Sequence, residues 1–578
     1  MANRKGVKYV WGPFRALLRN MKQRDKILLL SLVTGVLCGL AAVLLKLSIH
    51  GIAHGLDSLF NGEKWPWLFL PGLGMLISLI IVRYLVKDNI GHGVTKVLQA
   101  VSRNESRIKR HNLWSSMLTS AVTIGFGGSV GAEAPIVYTG AAIGSNLARY
   151  CGLDFRGMTL LLGCGAAGAV SGFFNAPLAG LLFTMEILFF NNAMNSVLPL
   201  MLSSISATAV SYLLLGREAV FNVAIVEFSM RNIPWYLVLG VFCGFCSLYF
   251  LRTTLFLEDN LGKLKNPYLK WILCAAALGV MIYFLPPLKG EGYESLAPLL
   301  QNTETGPIWI FALILVLKVF SMTFTNAGGG VGGTFGPTLF MGAIAGFVVS
   351  SLINMAKPGM VPVPNFVLVG MAGVMAGVMQ APLTAIFLIA EICGGYELLF
   401  PLILTATTSH LTMRIFEKYS IYTKRVAASG ELLTHDSDQA VLALLKPSTL
   451  VETDFIPVNI GGSLGDLAKA VSESRRNIFP VLDNKKHFQG YVEMADIRAD
   501  MFRTELYEKN HVNSYMKPAP EYIFEGEPME SVMRKFEKSG AWNLPVVKED
   551  FTYLGFISKS SIFNAYRESI KDVSPSDT

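Results

Sequence analysis

Glu133 is the single charged residue in the run GGSVGAEAPIVYTGAAIG, Gly127 to Gly144. Glycines ahead of a helix let backbone N–H groups come close to an ion, because no Cβ intervenes. The first N–H groups of a helix have no partner within it and carry partial positive charge. They bind an anion without a buried Arg or Lys. A carboxylate in such a loop imitates that anion: ionised, it occupies the site; protonated, it swings out. The pattern returns at GGVGGTFGPTLFMGAIAG, Gly329 to Gly346. Gly127/Gly329, Gly128/Gly330, Gly131/Gly333, Pro135/Pro337, Gly140/Gly342 and Gly144/Gly346 stand in register. A second pair follows in the same order, NAPLAGLLFTMEI (Asn175 to Ile187) and QAPLTAIFLIAEI (Gln380 to Ile392). Hydrophobic segments broken by Gly and Pro at matching places in two halves point to a transport site inside a membrane, with broken helices aimed at an anion.

The elements that must hold these residues are apolar. Of 578 residues, 52% are hydrophobic and 16% charged, against roughly 25% charged in soluble domains. Apolar runs recur from Ile27 to about Ile415, clear ones being Ile27–Leu47, Trp67–Val86, Leu160–Phe173, Val197–Leu215, Trp235–Leu251, Trp271–Leu285, Ile308–Val319 and Leu399–Leu411. Several are shorter than the ~20 residues a spanning helix needs. Many abut glycine clusters such as GCGAAGAVSG, Gly163 to Gly172. We read them as short, tilted or re-entrant helices shielded from lipid by protein. Between Leu113 and Gly216 the charged residues are Glu133, Arg149, Asp154, Arg156 and Glu186. Glu133 and Glu186 lie in apolar surroundings, and a carboxylate at membrane depth is a functional candidate.

The net charge of +8 is no nucleic-acid signal. It gathers at residues 1–26, where Arg4, Lys5, Lys8, Arg15, Arg19, Lys22, Arg24 and Lys26 face one acid, Asp25. Basic flanks stay inside, which gives a cytoplasmic N-terminus in a multi-pass protein of the cell membrane. Val7 to Met21 mixes aromatic, aliphatic and basic residues, as a helix lying on the membrane surface does. Cys243 and Cys246 form a CxxC inside VLGVFCGFCSLYF. Zinc or redox chemistry wants polar surroundings and more ligands, so these are small residues of a membrane helix. No GxxxxGK[ST] or HExxH motif occurs, and no enzyme chemistry is expected.

After Tyr422 the charge rises, and from about Leu432 the chain reads as a soluble α/β region containing two similar units. NIFPVLDNKKHFQGYVEMADIRADM (Asn477 to Met501) and NLPVVKEDFTYLGFISKSSIFNAY (Asn543 to Tyr566) each run strand, polar turn, strand, helix start. Amphipathic helices precede them near Ser463–Ser474 and Met529–Ser539.

Four signatures, in order, resemble the CLC family of chloride channels and proton-coupled chloride exchangers. GHGVT (Gly91 to Thr95) resembles GSGIP, GAEAP (Gly131 to Pro135) resembles GREGP or GKEGP, GGTFGP (Gly332 to Pro337) resembles GGIFAP, and SIYTKRV (Ser420 to Val426) resembles the segment carrying the family's anion-contacting tyrosine. The resemblance implies an α-helical membrane domain at 27–425 with inverted repeat halves at about 27–216 and 234–422. It implies a homodimer in the lipid bilayer with one chloride path per subunit, gated by voltage or pH. It casts Glu133 as the gate. It also implies anion contacts from His92, Gly93 and Ala134, backbone N–H groups of Thr334 and Phe335, and the Tyr422 hydroxyl. His92 stands where many members have serine, and either donates to the anion or caps the next helix. The C-terminal units resemble tandem CBS modules at 432–578 (about 446–505 and 512–570), on the cytoplasmic side. That resemblance implies an adenine nucleotide or a bracing role, with Asp496, Ser558 and Ser561 at the nucleotide positions. Asp496 keeps the ribose-binding acid and Ser561 does not.

Two departures stand out. Ala132 replaces the basic residue usual before the gate. Ile187 falls where many exchangers keep an internal proton-transfer glutamate. Glu186 is then either a substitute proton route or a structural carboxylate bonded to backbone amides, since Glu391 matches it in the other half. Isoleucine carries no proton, so the sequence leans to passive conduction over chloride/proton antiport. A membrane-anchored CBS sensor is the remote alternative, and an anchor needs neither duplicated broken segments nor intramembrane carboxylates.

Overall fold

The computed structural model describes residues 21–103, 106–188, 194–216, 223, 225–301, 303, 306–428 and 447–571. The expected surface helix at Val7 to Met21 lies almost wholly outside them. The chain forms two units, residues 1–433 and 434–578.

The first unit is helical. In its first half run α1 (Gln23–Leu59), α2 (Leu70–Ile80, extended by a π-helical turn to Val86), α3 (Gly93–Arg103), α4 (Ser115–Gly125), α5 (Glu133–Tyr150), α6 (Phe155–Phe174), α7 (Pro177–Ile187) and α8 (Met194–Leu215). The second half has α9 (Ile233–Gly262), α10 (Pro267–Phe284), α11 (Ile308–Ala327), α12 (Phe335–Ala356), α13 (Val363–Met379), α14 (Pro382–Ile392), α15 (Leu399–Phe416) and α16 (Ile421–Ala428). Among the described residues seven helices are long and apolar enough to cross a membrane. The halves pack alike: α5 lies on α6 as α12 lies on α13, and α1 on α8 as α9 on α15.

Several helices exceed the sequence expectation. α1 starts four residues before its apolar run and continues beyond it. The cluster Gly163 to Gly172 does not interrupt α6, which is continuous from Phe155 to Phe174. Its glycines serve packing instead. A Cβ on Gly165 would fall 2.0 Å from the Gly140 carbonyl oxygen, and one on Gly140 would fall 2.2 Å from that of Gly165. The second half repeats this contact at Gly342 and Gly370, both at 2.3 Å. Lipid tails are as apolar as side chains, so helices in a membrane gain from close backbone approach, which small residues allow.

Helix starts are made in two ways. The Asp154 side chain accepts from Gly157 N at the start of α6, and Asn266 from Tyr268 N at the start of α10. At α5 and α12 the N-cap residues, Ala132 and Thr334, make no side-chain cap.

The C-terminal unit holds two three-stranded sheets of identical design. β1 (Val458–Asn459) pairs parallel with β2 (Ile478–Leu482) across the helix α17 (Leu464–Glu473), and β2 pairs antiparallel with β3 (Phe488–Glu493), which runs into the helical turn α18 (Met494–Ile497). The second set is β4 (Ile523–Phe524), α19 (Met529–Ser539), β5 (Asn543–Val547), β6 (Tyr553–Ser558) and α20 (Lys559–Lys571). Both antiparallel pairs bulge at the same place, Val481/Leu482 and Val546/Val547. The lead-in segments are exchanged. Leu450 and Val451 pack in the second core, while Val512 and Tyr515 pack in the first. A boundary drawn at 512 therefore cuts across one core.

Candidate functional site

The two glycine loops meet back to back. Gly131 N donates to Gly333 O at 3.1 Å and Gly333 N to Gly131 O at 2.7 Å, an antiparallel bridge between the halves. Ser129 N donates to Thr325 Oγ1 and, across the pseudosymmetry, Val331 N donates to Thr123 Oγ1, both at 3.1 Å. These bonds consume loop N–H groups and fix the starts of α5 and α12 side by side.

The Glu133 carboxylate lies in the cleft so formed. A Cβ on Gly131 would come within 1.9 Å of Glu133 Oε2, and one on Gly336 within 3.0 Å of Oε1. Glycine at both places is what gives the carboxylate room. Tyr293 Oη donates to Glu133 Oε1 at 3.1 Å. Glu133 Oε2 is buried without a hydrogen-bond partner, as are Thr334 Oγ1 and Tyr422 Oη. Buried polar atoms are normally paired. These three atoms gather around the starts of α5 and α12. Tyr422 lies beside Thr334 and within electrostatic reach of Glu133. Phe335 stacks on Phe174 at 5.4 Å and lies 6.3 Å from Phe183, so aromatic walls close the start of α12.

Other expected contacts gather at the same place. Gly93 packs on α5: a Cβ there would fall 2.4 Å from the Ala134 carbonyl oxygen. His92 precedes it with φ +55°. Its Nε2 lies 3.7 Å from Glu258 Oε1, a carboxylate also bound by both Nε and a terminal amine of Arg425. Composition gave no hint of this His92–Glu258–Arg425 group, because its members come from α3, α9 and α16.

Glu186 is bound to the opposite half. Its oxygens accept from Leu383 N (3.1 Å), Thr384 N (2.8 Å) and Thr384 Oγ1 (2.7 Å), capping α14. Glu391 caps α7 in return through Leu178 N (3.1 Å) and Ala179 N (2.9 Å). Each carboxylate offsets the helix dipole and orphan N–H groups of the opposite half. Ile187 beside it is buried and apolar.

Residues that sequence reasoning missed surround the gate. Glu291 Oε1 accepts from Ala132 N at 2.9 Å. Lys318, wholly buried on α11, donates to Ser129 Oγ and Gly290 O at 3.0 Å and Leu288 O at 3.4 Å. A lysine inside the apolar run from Ile308 was the available signal.

In the C-terminal unit Asp496 and Ser561 occupy equivalent places. Asp496 accepts from Glu493 N at 3.3 Å and pairs with Lys517. Ser561 and Ser558 cap each other's backbone N–H groups at 3.2 and 2.9 Å. Among the described residues no cluster could hold a metal ion.

The family model for voltage gated chloride channels matches residues 73–414, and the CBS domain model matches residues 512–568. A putative chloride channel protein ClcB-like from Ralstonia nicotianae is 28% identical over 64% of this chain and 87% of its own length. The H(+)/Cl(-) exchange transporter ClcA of Vibrio cholerae is 26% identical over 69% and 88%. The crystal structure of a slow cyanobacterial Cl-/H+ antiporter superposes with TM-score 0.64 at 19% identity, over 71% of this chain and 99% of that one. A eukaryotic CLC transporter does so with TM-score 0.62 at 16% identity, over 95% and 98%. At those identities the two structures speak for the fold alone. Duplicated loops, uncapped helix starts, a carboxylate between them and the family match together make this chain a member of the CLC family of chloride transport proteins, carrying a C-terminal CBS domain.

Proposed function

We propose that this protein carries chloride across a membrane with the Glu133 carboxylate as its gate. The observation behind the reading is the seat of that carboxylate, a glycine cleft where two uncapped helix starts meet, with one oxygen unbonded. The carboxylate lies against the backbone N–H groups of Glu133 and Gly336, and chloride in the same seat meets those groups. Partial charges hold an ion weakly enough to let it leave, as conduction requires. His92, Gly93, Ala134, Thr334, Phe335 and Tyr422 supply the surroundings, with the Tyr422 hydroxyl as a donor to the ion.

Coupling has two readings. The relatives named as exchangers favour proton antiport. The residues of α7 favour passive conduction, since Ile187 is apolar and Glu186 is bonded to three donors. We expect chloride flux from liposomes holding the purified protein without stoichiometric proton movement, read with a pH dye inside the vesicles under a chloride gradient. Uphill proton movement driven by that gradient would establish antiport instead.

For the CBS pair we propose bracing rather than nucleotide sensing. Asp496 is engaged by Glu493 N and Lys517, and Ser558 and Ser561 satisfy each other. Calorimetric titration of the full chain with ATP, ADP and AMP is expected to give no heat at millimolar concentration. Saturable binding lost in Asp496→Ala would restore the nucleotide reading.

A further inference from the structure

The gate described above uses Glu133 and leaves a second carboxylate beside it without a task. Glu291 sits in the loop between α10 and α11 and accepts the N–H of Ala132, the residue before Glu133. Tyr293, two positions along the same loop, donates to the Glu133 carboxylate itself. One loop thus holds both the backbone and the side chain of the gate. Glu133 is 2% exposed, whereas Glu291 is only partly buried and keeps contact with solvent.

The charged and titratable groups facing Glu291 are few. Glu133 lies on α5, Tyr293 on its own loop, Lys46 on α1 and Lys318 on α11. Lys289, also on that loop, is engaged elsewhere, 3.8 Å from Asp57 and 3.5 Å from the centre of the Trp67 ring. Lys318 is held by three oxygen acceptors under the loop and is a fixed neighbour. A cation usual at position 132 in the resembling motif is replaced here by Ala132.

We propose that Glu291 sets the proton affinity of Glu133, and through it the pH at which the gate leaves its seat. The proposal rests on the gate reading above. An ionised Glu291 makes a second negative charge at Glu133 less favourable, so Glu133 takes up its proton at a higher pH than it would alone. Lys318 and Lys46 favour the ionised form of Glu291. Glu291 is a positioning residue, since it reaches the ion only through Glu133.

The test is chloride efflux from liposomes as a function of pH, for variants whose fold is checked by thermal unfolding in detergent. Glu291→Gln keeps an oxygen for the Ala132 N–H and removes the charge. Its flux midpoint is expected to move toward acid by about one pH unit. Glu291→Asp, which keeps the charge, is expected to stay near the wild-type midpoint. In the double variant Glu133→Gln, Glu291→Gln the profile is expected to be as flat as in Glu133→Gln alone. An unshifted midpoint in Glu291→Gln overturns the proposal, and so does a titration that persists in the double variant. A wild-type profile in Glu133→Gln alone overturns the gate reading itself, and this proposal with it.

Discussion

Glu133→Gln is expected to give chloride flux that no longer follows pH. By the proposed gating, the ionised carboxylate occupies the seat between α5 and α12, and only the protonated side chain vacates it. Above the carboxyl pKa the protonated fraction falls about tenfold for each pH unit, and wild-type flux falls with it. The glutamine amide is neutral at every pH and does not imitate an anion. The variant is therefore expected to run at the wild type's acid-limit rate throughout, with the largest gain at alkaline pH. Efflux from liposomes across pH 4 to 8 (roughly the range from a free carboxylic acid upward) measures this. A variant that keeps the wild-type slope would falsify the gate.

Gly165→Val is expected to remove most folded protein from the membrane. The new Cβ would meet the Gly140 carbonyl oxygen at 2.0 Å. Both sides of that contact are backbone within packed helices, so neither gives way as a flexible side chain would. Overpacking commonly costs about 1–3 kcal/mol and occasionally more, and a backbone clash belongs at the upper end. The displaced helix is α5, which carries Glu133 at its start. Gly370→Val, the mate in the other half, is expected to do the same. Gly51→Ala makes a control, because nothing lies within 4 Å of the added Cβ. Yield of monodisperse protein after detergent extraction compares the three, and a Gly165→Val yield equal to that of Gly51→Ala would refute the packing account.

The duplication and the carboxylate of the anion loop were legible because both are written in consecutive residues. Glycine before a helix, with Glu133 two residues after Gly131, specifies local backbone and local charge at once. The C-terminal strands were legible for the same reason, since each unit repeats strand, turn and strand within a short stretch. What stayed hidden depends on residues distant in the chain. Glu291 and Tyr293 come from an irregular loop with no period to read, and only the fold brings them to Ala132 and Glu133. The glycine cluster of α6 has the composition of a break, yet tertiary packing overrides it, because neighbouring helices fill the space a Cβ would take at Gly165, Gly168 and Gly172. Glu186 was ambiguous for want of its partners, which lie at Leu383 and Thr384. The chemistry of a buried carboxylate is set by what donates to it, and that is a property of the fold.

The crossed carboxylates also govern how the chain is made. Helix α7 is capped by Glu391 and α14 by Glu186. During synthesis the amino end of α7 is complete long before residue 391 is linked to the chain. A ribosome adds about 5–20 residues per second, so the nascent first half waits many seconds with bare N–H groups at Leu178 and Ala179. In that interval it depends on lipid headgroups, water or the insertion machinery for hydrogen bonds. Neither half is a finished folding unit, and the duplication that built this protein left two copies that mature only as partners.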